Sequence, residues 1–187
     1  MPCQLMPSVL TAARAWRTSG LKYSITGIRR CGKSYLLDPI FKNYLLDSGV
    51  DKSHIIKLEL DSIENIEYRD PKKLYDYVME QVKDNETYYI LLDEIQLVSN
   101  FETVLNSFLR KDNLDVYVTG SNSKFLSSDV ITEFRGRGDE IRVYPLSFAE
   151  FVSGYDGDRQ NAFKDYSTFG GMPYILSRKT DESKMQY

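Results

Sequence analysis

Short apolar runs alternate with segments of helical periodicity along the chain from residue 22 onward. Five of the apolar runs are typical of β-strands. They lie at residues 23–26, 55–60, 88–93, 115–119 and 141–144. The third run is apolar almost throughout, as expected for a strand that is buried on both faces of its sheet. The alternation predicts a parallel sheet with helices on both faces.

Two intervening segments carry apolar residues at helical spacing. The first follows Pro71, which suits the first turn of a helix. Its apolar face comprises Leu74, Tyr77, Val78 and Val82. The second follows Asn100, a candidate N-cap. Its apolar face comprises Phe101, Val104, Leu105, Phe108 and Leu109.

The helical segment after Gly32 contains Pro39, which lacks a backbone donor and clashes with the preceding turn. It predicts either a kink or a stop near Leu37 followed by a restart with Asp38 as the cap. After Pro145 the alternation ends, and short helical stretches follow around residues 148–152 and 161–169. We therefore expect residues 1–150 to form the core. Residues 151–187 are expected to begin a helical lid or C-terminal region.

The composition is that of a globular domain, with 42% hydrophobic and 27% charged residues, so a packed core is expected. The net charge of −3 gives no general attraction to nucleic acid or to anionic membranes. No run of about 18 apolar residues occurs, so a membrane span is not expected. Cys3 and Cys31 make no disulfide framework, which favours a reducing, cytoplasmic compartment.

The segment at residues 27–34, Gly-Ile-Arg-Arg-Cys-Gly-Lys-Ser, fits the pattern of a phosphate-binding loop, G-x-x-x-x-G-K-[ST]. Glycines let the backbone fold around a triphosphate, and N–H groups at a helix N-terminus then point at phosphate oxygens. The pattern stands where this chemistry requires it, between an apolar strand and a helical run. The cofactor-binding set is therefore predicted as Gly27, Arg30, Cys31, Gly32, Lys33, Ser34 and Tyr35.

Within this loop, Lys33 is expected to place its charge between the β- and γ-phosphates, and Ser34 to bind Mg²⁺ through its hydroxyl. Arg29 and Arg30 either touch phosphate or are solvated loop charges. Cys31, near a helix N-terminus and flanked by cationic residues, is expected to have an acidic thiol. The alternative for Cys31 is a small, buried and inert residue that fits the loop.

Asp93 and Glu94 end the third predicted strand, at the sheet edge that borders the ligand crevice in α/β folds. Two carboxylates at the tip of an apolar strand are costly unless they are used or solvated. Asp93 is predicted to hold Mg²⁺, and Glu94 to orient or deprotonate the attacking water. The alternative is a pair of ordinary acidic loop residues.

Polar residues also follow the fourth predicted strand, where Ser121 and Asn122 come after Gly120. Either side chain could contact the γ-phosphate or the attacking water, although both residues are also common in turns. Arg135 and Arg137 precede the fifth strand. An arginine near the γ-phosphate would stabilise transition-state charge, whereas the alternative is a solvated basic turn.

In order and spacing, these motifs resemble those of a prokaryotic AAA+ P-loop ATPase family. The remaining matches are Leu-Asp-Glu-Ile-Gln at 92–96, Thr-Gly-Ser-Asn at 119–122, Pro-Leu-Ser-Phe at 145–148 and Gly-Gly-Met-Pro at 170–173. The resemblance covers roughly residues 20–177. Family members follow the ATPase core with a C-terminal domain of uncharacterised type, for which a nuclease-like fold is one candidate. We therefore expect this chain to be part of a longer protein.

The resemblance implies a three-layer α/β P-loop core of the ASCE class, with a five-stranded parallel sheet and a partial helical lid. It implies that the 115–119 strand separates the acidic-pair strand from the phosphate-loop strand. It also implies Glu94 as the catalytic glutamate and Arg137 as a finger or sensor residue. ATP and Mg²⁺ are the implied cofactors, and assembly as a homo-oligomer stays open.

These features predict a MgATP-binding protein that hydrolyses ATP to ADP and phosphate as the core of a larger protein. The alternatives are a binding module gated by ATP with little turnover and a P-loop kinase. Glu94 directly after Asp93 favours hydrolysis over phosphoryl transfer to a small molecule. No Asn-Lys-x-Asp element follows the loop, which disfavours a GTPase. The macromolecular partner is not predicted.

Overall fold

The computed structural model describes residues 22–120 and 138–186. Five strands form one sheet in the order β2-β3-β4-β1-β5, and all paired strands are parallel. The strands are β1 (Lys22–Thr26), β2 (Ile55–Glu59), β3 (Tyr88–Asp93), β4 (Leu114–Thr119) and β5 (Gly138–Arg142). The five-stranded parallel sheet is confirmed, as is the position of β4 between β3 and β1.

β5 begins three residues before the predicted strand. Its first residues are polar or glycine, so they give no apolar signal, yet Lys22 of β1 is in register with Gly138. The strand is set by pairing with β1 along the sheet edge and not by its own hydrophobic pattern.

Helices connect the strands and continue beyond the sheet. They are α1 (Lys33–Tyr35), α2 (Lys42–Asp47), α3 (Pro71–Gln81), α4 (Phe101–Leu109), α5 (Phe148–Ser153), α6 (Arg159–Phe169) and α7 (Asp181–Met185). Short 3₁₀ segments occur at Lys52–His54, Ile63–Arg69, Ile95–Leu97 and Pro173–Ser177. No helix within residues 22–120 and 138–186 is long and apolar enough to cross a membrane.

The helices α3 and α4 begin near the predicted positions, but their N-termini differ. Pro71 is the first residue of α3, and the Asp70 carboxylate caps it by accepting a bond from Lys73 N at 2.9 Å. Asn100 precedes α4 as expected, but it has φ 48° and makes no side-chain capping bond. The predicted N-cap position of Asn100 is therefore confirmed, but the residue holds it through its backbone conformation and not through a side-chain bond. Its left-handed backbone is one that asparagine tolerates better than most residues.

The helix after the glycine loop is interrupted at Asp38, whose φ of −144° and ψ of 122° are those of extended chain. A π-helical segment, Leu36–Phe41, spans this break, so the helix stops near Leu37 and restarts at Pro39. The Asp38 carboxylate accepts a hydrogen bond from Lys57 of β2 and lies 3.6 Å from Lys42 Nζ. Of the two predicted alternatives, the structure thus has the stop and restart of the helix, and Asp38 contacts the sheet at this break.

The two faces of the sheet carry separate apolar cores. On one face, α3 and α4 cover β2, β3 and β4 with buried residues that include Leu74, Val78, Phe101, Val104 and Phe108. On the other face, the interrupted helix packs on the sheet through Leu36, Leu37, Ile40, Phe41 and Leu45. This arrangement confirms the three-layer α/β architecture. It also places the loop between β1 and α1 at the carboxyl edge of the sheet.

The C-terminal helices have a small core of their own, formed by Leu146, Phe151, Ala162 and Ile175. Leu146 N donates to Gly171 O at 2.7 Å, so the motifs at 145–148 and 170–173 contact each other. A Cβ atom at Gly171 would lie 2.2 Å from Leu146 O, so glycine is needed for this approach. The nearly buried Lys184 ammonium joins α7 to α6 through Asp165 at 2.6 Å.

Candidate active site

The loop between β1 and α1 adopts conformations that its glycines permit. Gly27 has φ +147°, and a Cβ atom there would lie 2.2 Å from Val143 O and 2.9 Å from Cys31 Sγ. Gly32 has φ +103° and precedes α1. Both values lie in the region that L side chains rarely adopt. The loop therefore leaves β1 past the end of β5 along a path that excludes a side chain at residue 27.

Lys33 is nearly buried, with 4% of its surface exposed. Its ammonium donates to two loop carbonyl oxygens, Ile28 O at 2.9 Å and Gly27 O at 3.1 Å. Among the residues that the structure describes, no carboxylate lies within ion-pair distance of this ammonium. A buried cation with carbonyl partners alone is costly, which favours an anion as its further partner.

Ser34 and Asp93 meet at the carboxyl edge of the sheet. The Ser34 hydroxyl donates to Asp93 Oδ1 at 3.1 Å. Ser34 lies on α1, and Asp93 is the last residue of β3. The sheet order puts β4 between β1 and β3, so the contact is made above the carboxyl end of β4. The two residues predicted to bind the metal are thus brought together by the fold.

The Asp93 carboxyl is 7% exposed, and burial raises its pKa above the usual range. The hydroxyls of Thr119 and Ser34 oppose that shift by donating to the charged form, whereas Glu94 next to it raises the pKa further. Without a cation, a carboxylate here is held at an energetic cost. A cation at this position would offset that cost.

Glu94 follows Asp93 in a left-handed backbone conformation, with φ 55° and ψ 49°. Its carboxylate accepts a hydrogen bond from the Gln96 amide, two residues further on in the 3₁₀ turn. Its backbone N–H donates to Thr119 Oγ1 at 3.0 Å. Glu94 is therefore held at both its main chain and its side chain.

Thr119 also belongs to this site, although the sequence motifs alone predict no role for it. It is fully buried at the end of β4, and its hydroxyl donates to the Asp93 carboxylate. The register pairs Leu92 with Val118, so Asp93 and Thr119 come next on adjacent strands. The sequence contains one clue that the two residues are near each other, because both are the last of their apolar runs and parallel strands end at one edge. The contact itself depends on the register of β3 and β4.

Cys31 differs from the expectation for its thiol. Its side chain is fully buried among apolar residues that include Leu36, Leu37 and Val143. Burial raises the pKa of the Cys31 thiol, and the nearby Lys33 charge only partly opposes that shift. The prediction of an acidic thiol is therefore wrong. The small, buried side chain corresponds to the alternative given for this residue.

Other residues of the predicted set lie at the surface or outside the described ranges. Arg29 and Arg30 are exposed in the loop, and Arg30 has φ 68°. Tyr35 on α1 is 38% exposed. The remaining predicted residues, Ser121, Asn122, Arg135 and Arg137, lie outside the described residues.

Solved structures of other proteins share this fold. A structure of PCH-2 from C. elegans aligns with 89% of this chain and 47% of its own, with a TM-score of 0.55 and 17% identity. The structure of the Aeropyrum pernix ORC1 protein in complex with DNA aligns with 98% of this chain and 63% of its own. Its TM-score is 0.54 and its identity 13%. At these identities the likeness shows the fold alone.

Sequence relatives are closer but longer than this chain. An uncharacterized protein of Haemophilus influenzae is 34% identical over 158 residues, which is 81% of this chain and 39% of the relative. The uncharacterized protein MJ1544 of Methanocaldococcus jannaschii is 30% identical over 166 residues, or 81% of this chain and 35% of the relative. The chain therefore spans little more than a third of the length of these curated relatives.

A family model described as an AAA domain matches residues 21–152, which contain the sheet, the glycine loop and the acidic pair. This match covers more than half of the chain and agrees with the resemblance that the motifs predict. This family match, together with the three-layer fold, identifies the chain as a member of the AAA+ P-loop ATPase family.

Proposed function

We propose that this domain binds MgATP and hydrolyses it to ADP and phosphate, as the nucleotide-driven core of a larger protein. The observation that carries the proposal is the Ser34–Asp93 contact at 3.1 Å, next to a nearly buried Lys33. A hydroxyl, a carboxylate and an ammonium at the end of a glycine loop have the chemistry that Mg²⁺ and a triphosphate require.

Ser34 and Asp93 fit Mg²⁺, which prefers hard oxygen ligands and keeps several waters. Ser34 and Asp93 would hold the ion, and its positive charge would relieve the cost of a charged, buried Asp93. Bound Mg²⁺ would supply neutralisation of charge on the β- and γ-phosphate oxygens. Lys33 would exchange its carbonyl partners for those phosphate oxygens, because an anion is the stronger acceptor.

Glu94 is the proposed general base. It would orient a water molecule in line with the γ-phosphorus and accept a proton from it. The water oxygen then bonds to the γ-phosphorus as the bond to the ADP oxygen breaks, so the leaving electron pair stays on ADP. The amide of Gln96 contacts one oxygen of the Glu94 carboxylate and limits its rotation.

The rest of the predicted set completes the proposed site. Gly27, Gly32 and the backbone of Cys31 would let the loop wrap the phosphates, with Arg30 and Tyr35 at its exposed rim. Ser121 or Asn122 would contact the γ-phosphate or the attacking water. Arg137 would stabilise transition-state charge within one chain or in a neighbouring copy of a homo-oligomer.

The proposal extends to the organisation of the chain. We place the core at residues 1–150 and the start of a helical lid at 151–187, in a cytoplasmic protein. The remaining length of the relatives would carry the parts that contact a protein or nucleic-acid partner. The uncharacterised relatives leave the identity of that partner unassigned.

A second candidate is a binding module gated by ATP with little turnover. It is favoured by one observation, the hydrogen bond from Gln96 to the Glu94 carboxylate, which occupies an oxygen that a general base would use. In this function nucleotide binding, and not hydrolysis, would change the state of the protein.

Steady-state release of phosphate from MgATP tests these functions. We expect turnover by the native chain, and a fall of roughly 10²–10⁴-fold in Glu94→Gln with nucleotide binding retained. Glu102→Gln, on the helix α4, is the matched control and should leave turnover unchanged. Equal turnover in Glu94→Gln would remove Glu94 from the catalytic role. Phosphate release only when a small-molecule acceptor is added would favour the kinase alternative.

A further inference from the structure

Thr119 is a buried polar residue at the carboxyl edge of the sheet, next to the acidic pair. It ends β4, and its side chain is fully buried. On one side Thr119 is in register with Ile25 of β1. On the other side Val118 is paired with Leu92 of β3, and Asp93 is the next residue of that strand. Thr119 therefore lies between the strand that enters the glycine loop and the strand that carries the acidic pair.

The hydroxyl of Thr119 makes two hydrogen bonds of opposite sense. It donates its proton to Asp93 Oδ1, and it accepts one from the backbone N–H of Glu94 at 3.0 Å. A hydroxyl has a single proton, so the bond to Asp93 leaves its lone pairs for the N–H of Glu94. One side chain thus contacts both members of the acidic pair.

We propose that Thr119 is a positioning residue that fixes Glu94 for its reaction with water. The inference rests on the proposed function, because it assigns Glu94 as the general base. Glu94 has φ 55°, a conformation that costs a non-glycine residue free energy and persists where the surroundings hold it. The hydrogen bond from the Glu94 N–H to Thr119 stabilises this backbone conformation, which sets the direction in which the Glu94 side chain leaves the backbone.

The packing alone would not require a hydroxyl here. Valine has the same branched shape as threonine and suits a buried strand equally well. With valine at this position, Asp93 would lose a donor and the Glu94 N–H its acceptor, while the volume in the core would hardly change. Substitution by valine can therefore separate the packing of this side chain from its hydrogen bonds.

The experiment compares Thr119→Val and Thr119→Ser with the native chain. We expect the turnover number of Thr119→Val to fall at least about 10-fold, with the dissociation constant for MgATP changed less than about threefold. Thr119→Ser keeps the hydroxyl and should recover most of the turnover. In a Glu94→Gln background, Thr119→Val should reduce turnover less than about twofold further, because it acts through Glu94.

A second readout is independent of turnover. Hydrogen exchange at the Glu94 amide, followed by NMR in the nucleotide-free chain, should be at least about 10-fold faster in Thr119→Val than in Thr119→Ser. Native turnover in Thr119→Val, equal losses in both variants, or unchanged exchange at Glu94 would overturn the proposal. A native chain that shows the exchange difference but no turnover would overturn the proposed hydrolysis and leave the contact between Thr119 and Glu94 established.

Discussion

The Ser34 hydroxyl donates to the Asp93 carboxylate at 3.1 Å, although 59 positions separate the two residues in the sequence. Ser34 lies on α1, the helix that follows the glycine loop, and Asp93 ends β3, which is two strands away from β1 in the sheet. The parallel sheet brings them together because β1 and β3 end at the same edge. The contact joins the two motifs on which the proposed nucleotide site depends.

The buried carboxylate of Asp93 predicts a change of stability with pH. Burial raises the pKa of Asp93 in the folded state above its value in the unfolded chain. The stability that Asp93 contributes to the fold is therefore fully present below the unfolded pKa and is lost as pH rises through the folded pKa. At pH 7, above the unfolded pKa of Asp93, this residue should therefore lower the stability of the nucleotide-free protein. Asp93→Asn should raise the melting temperature at pH 7 but not below about pH 4.

Thermal unfolding of Asp93→Asn and of the native chain across pH checks this prediction. Asp112→Asn, an exposed acid, is the control and should change little at either pH. The Asp93→Asn variant should also lose the added stability that MgATP gives the native chain. A lower melting temperature for Asp93→Asn at pH 7 would contradict the account.

Gly27→Ala should destabilise the fold by about 2–4 kcal/mol. The new Cβ atom would lie 2.2 Å from Val143 O, and φ +147° is unfavourable for alanine. Gly49→Ala is a matched control, because Gly49 has φ +87° but no atom within 4 Å of an added Cβ. It should cost only about 1 kcal/mol from backbone strain. Chemical denaturation measures both, and equal losses would show that the close approach at residue 27 does not matter.

Cys31 should resist alkylation in the native, nucleotide-free protein. Its side chain is fully buried and its thiol pKa is raised by that burial, so both access and thiolate content are reduced. We expect iodoacetamide to modify Cys31 at least about 100-fold more slowly than in the same chain unfolded in urea. Mass spectrometry separates Cys31 from Cys3 in this measurement. Modification at similar rates in both states would place the thiol at the surface.

The sequence predicted the sheet well because its central strands are continuous apolar runs, such as β3, where all six residues are buried. It predicted β5 less well, since Gly138 and its neighbours join the sheet by pairing with β1 and not by hydrophobicity. The strand order could not be read from periodicity. It came from the resemblance of the motifs to a family.

The contacts among the candidate site residues were predicted in part. Residue types and spacing singled out Lys33, Ser34, Asp93 and Glu94, because few other patterns place such groups after buried strands. They could not show that Cys31 points into the apolar core, because a loop residue that follows two arginines is expected to be exposed. Nor could they show that Thr119 contacts the acidic pair, because that depends on the register of β3 and β4.

The most direct test of a nucleotide site at residues 27–34 is calorimetric titration of MgATP into the native chain and into Lys33→Ala. Lys72→Ala, which removes an exposed charge on α3, is the control. We predict saturable binding by the native chain and by Lys72→Ala. Lys33→Ala should bind at least about 100-fold more weakly, equivalent to about 2.7 kcal/mol, because it lacks the cation that we propose to contact the phosphates. Equal affinity of Lys33→Ala and the native chain, in a variant that unfolds at the native temperature, would contradict the assignment of this loop as the phosphate-binding site.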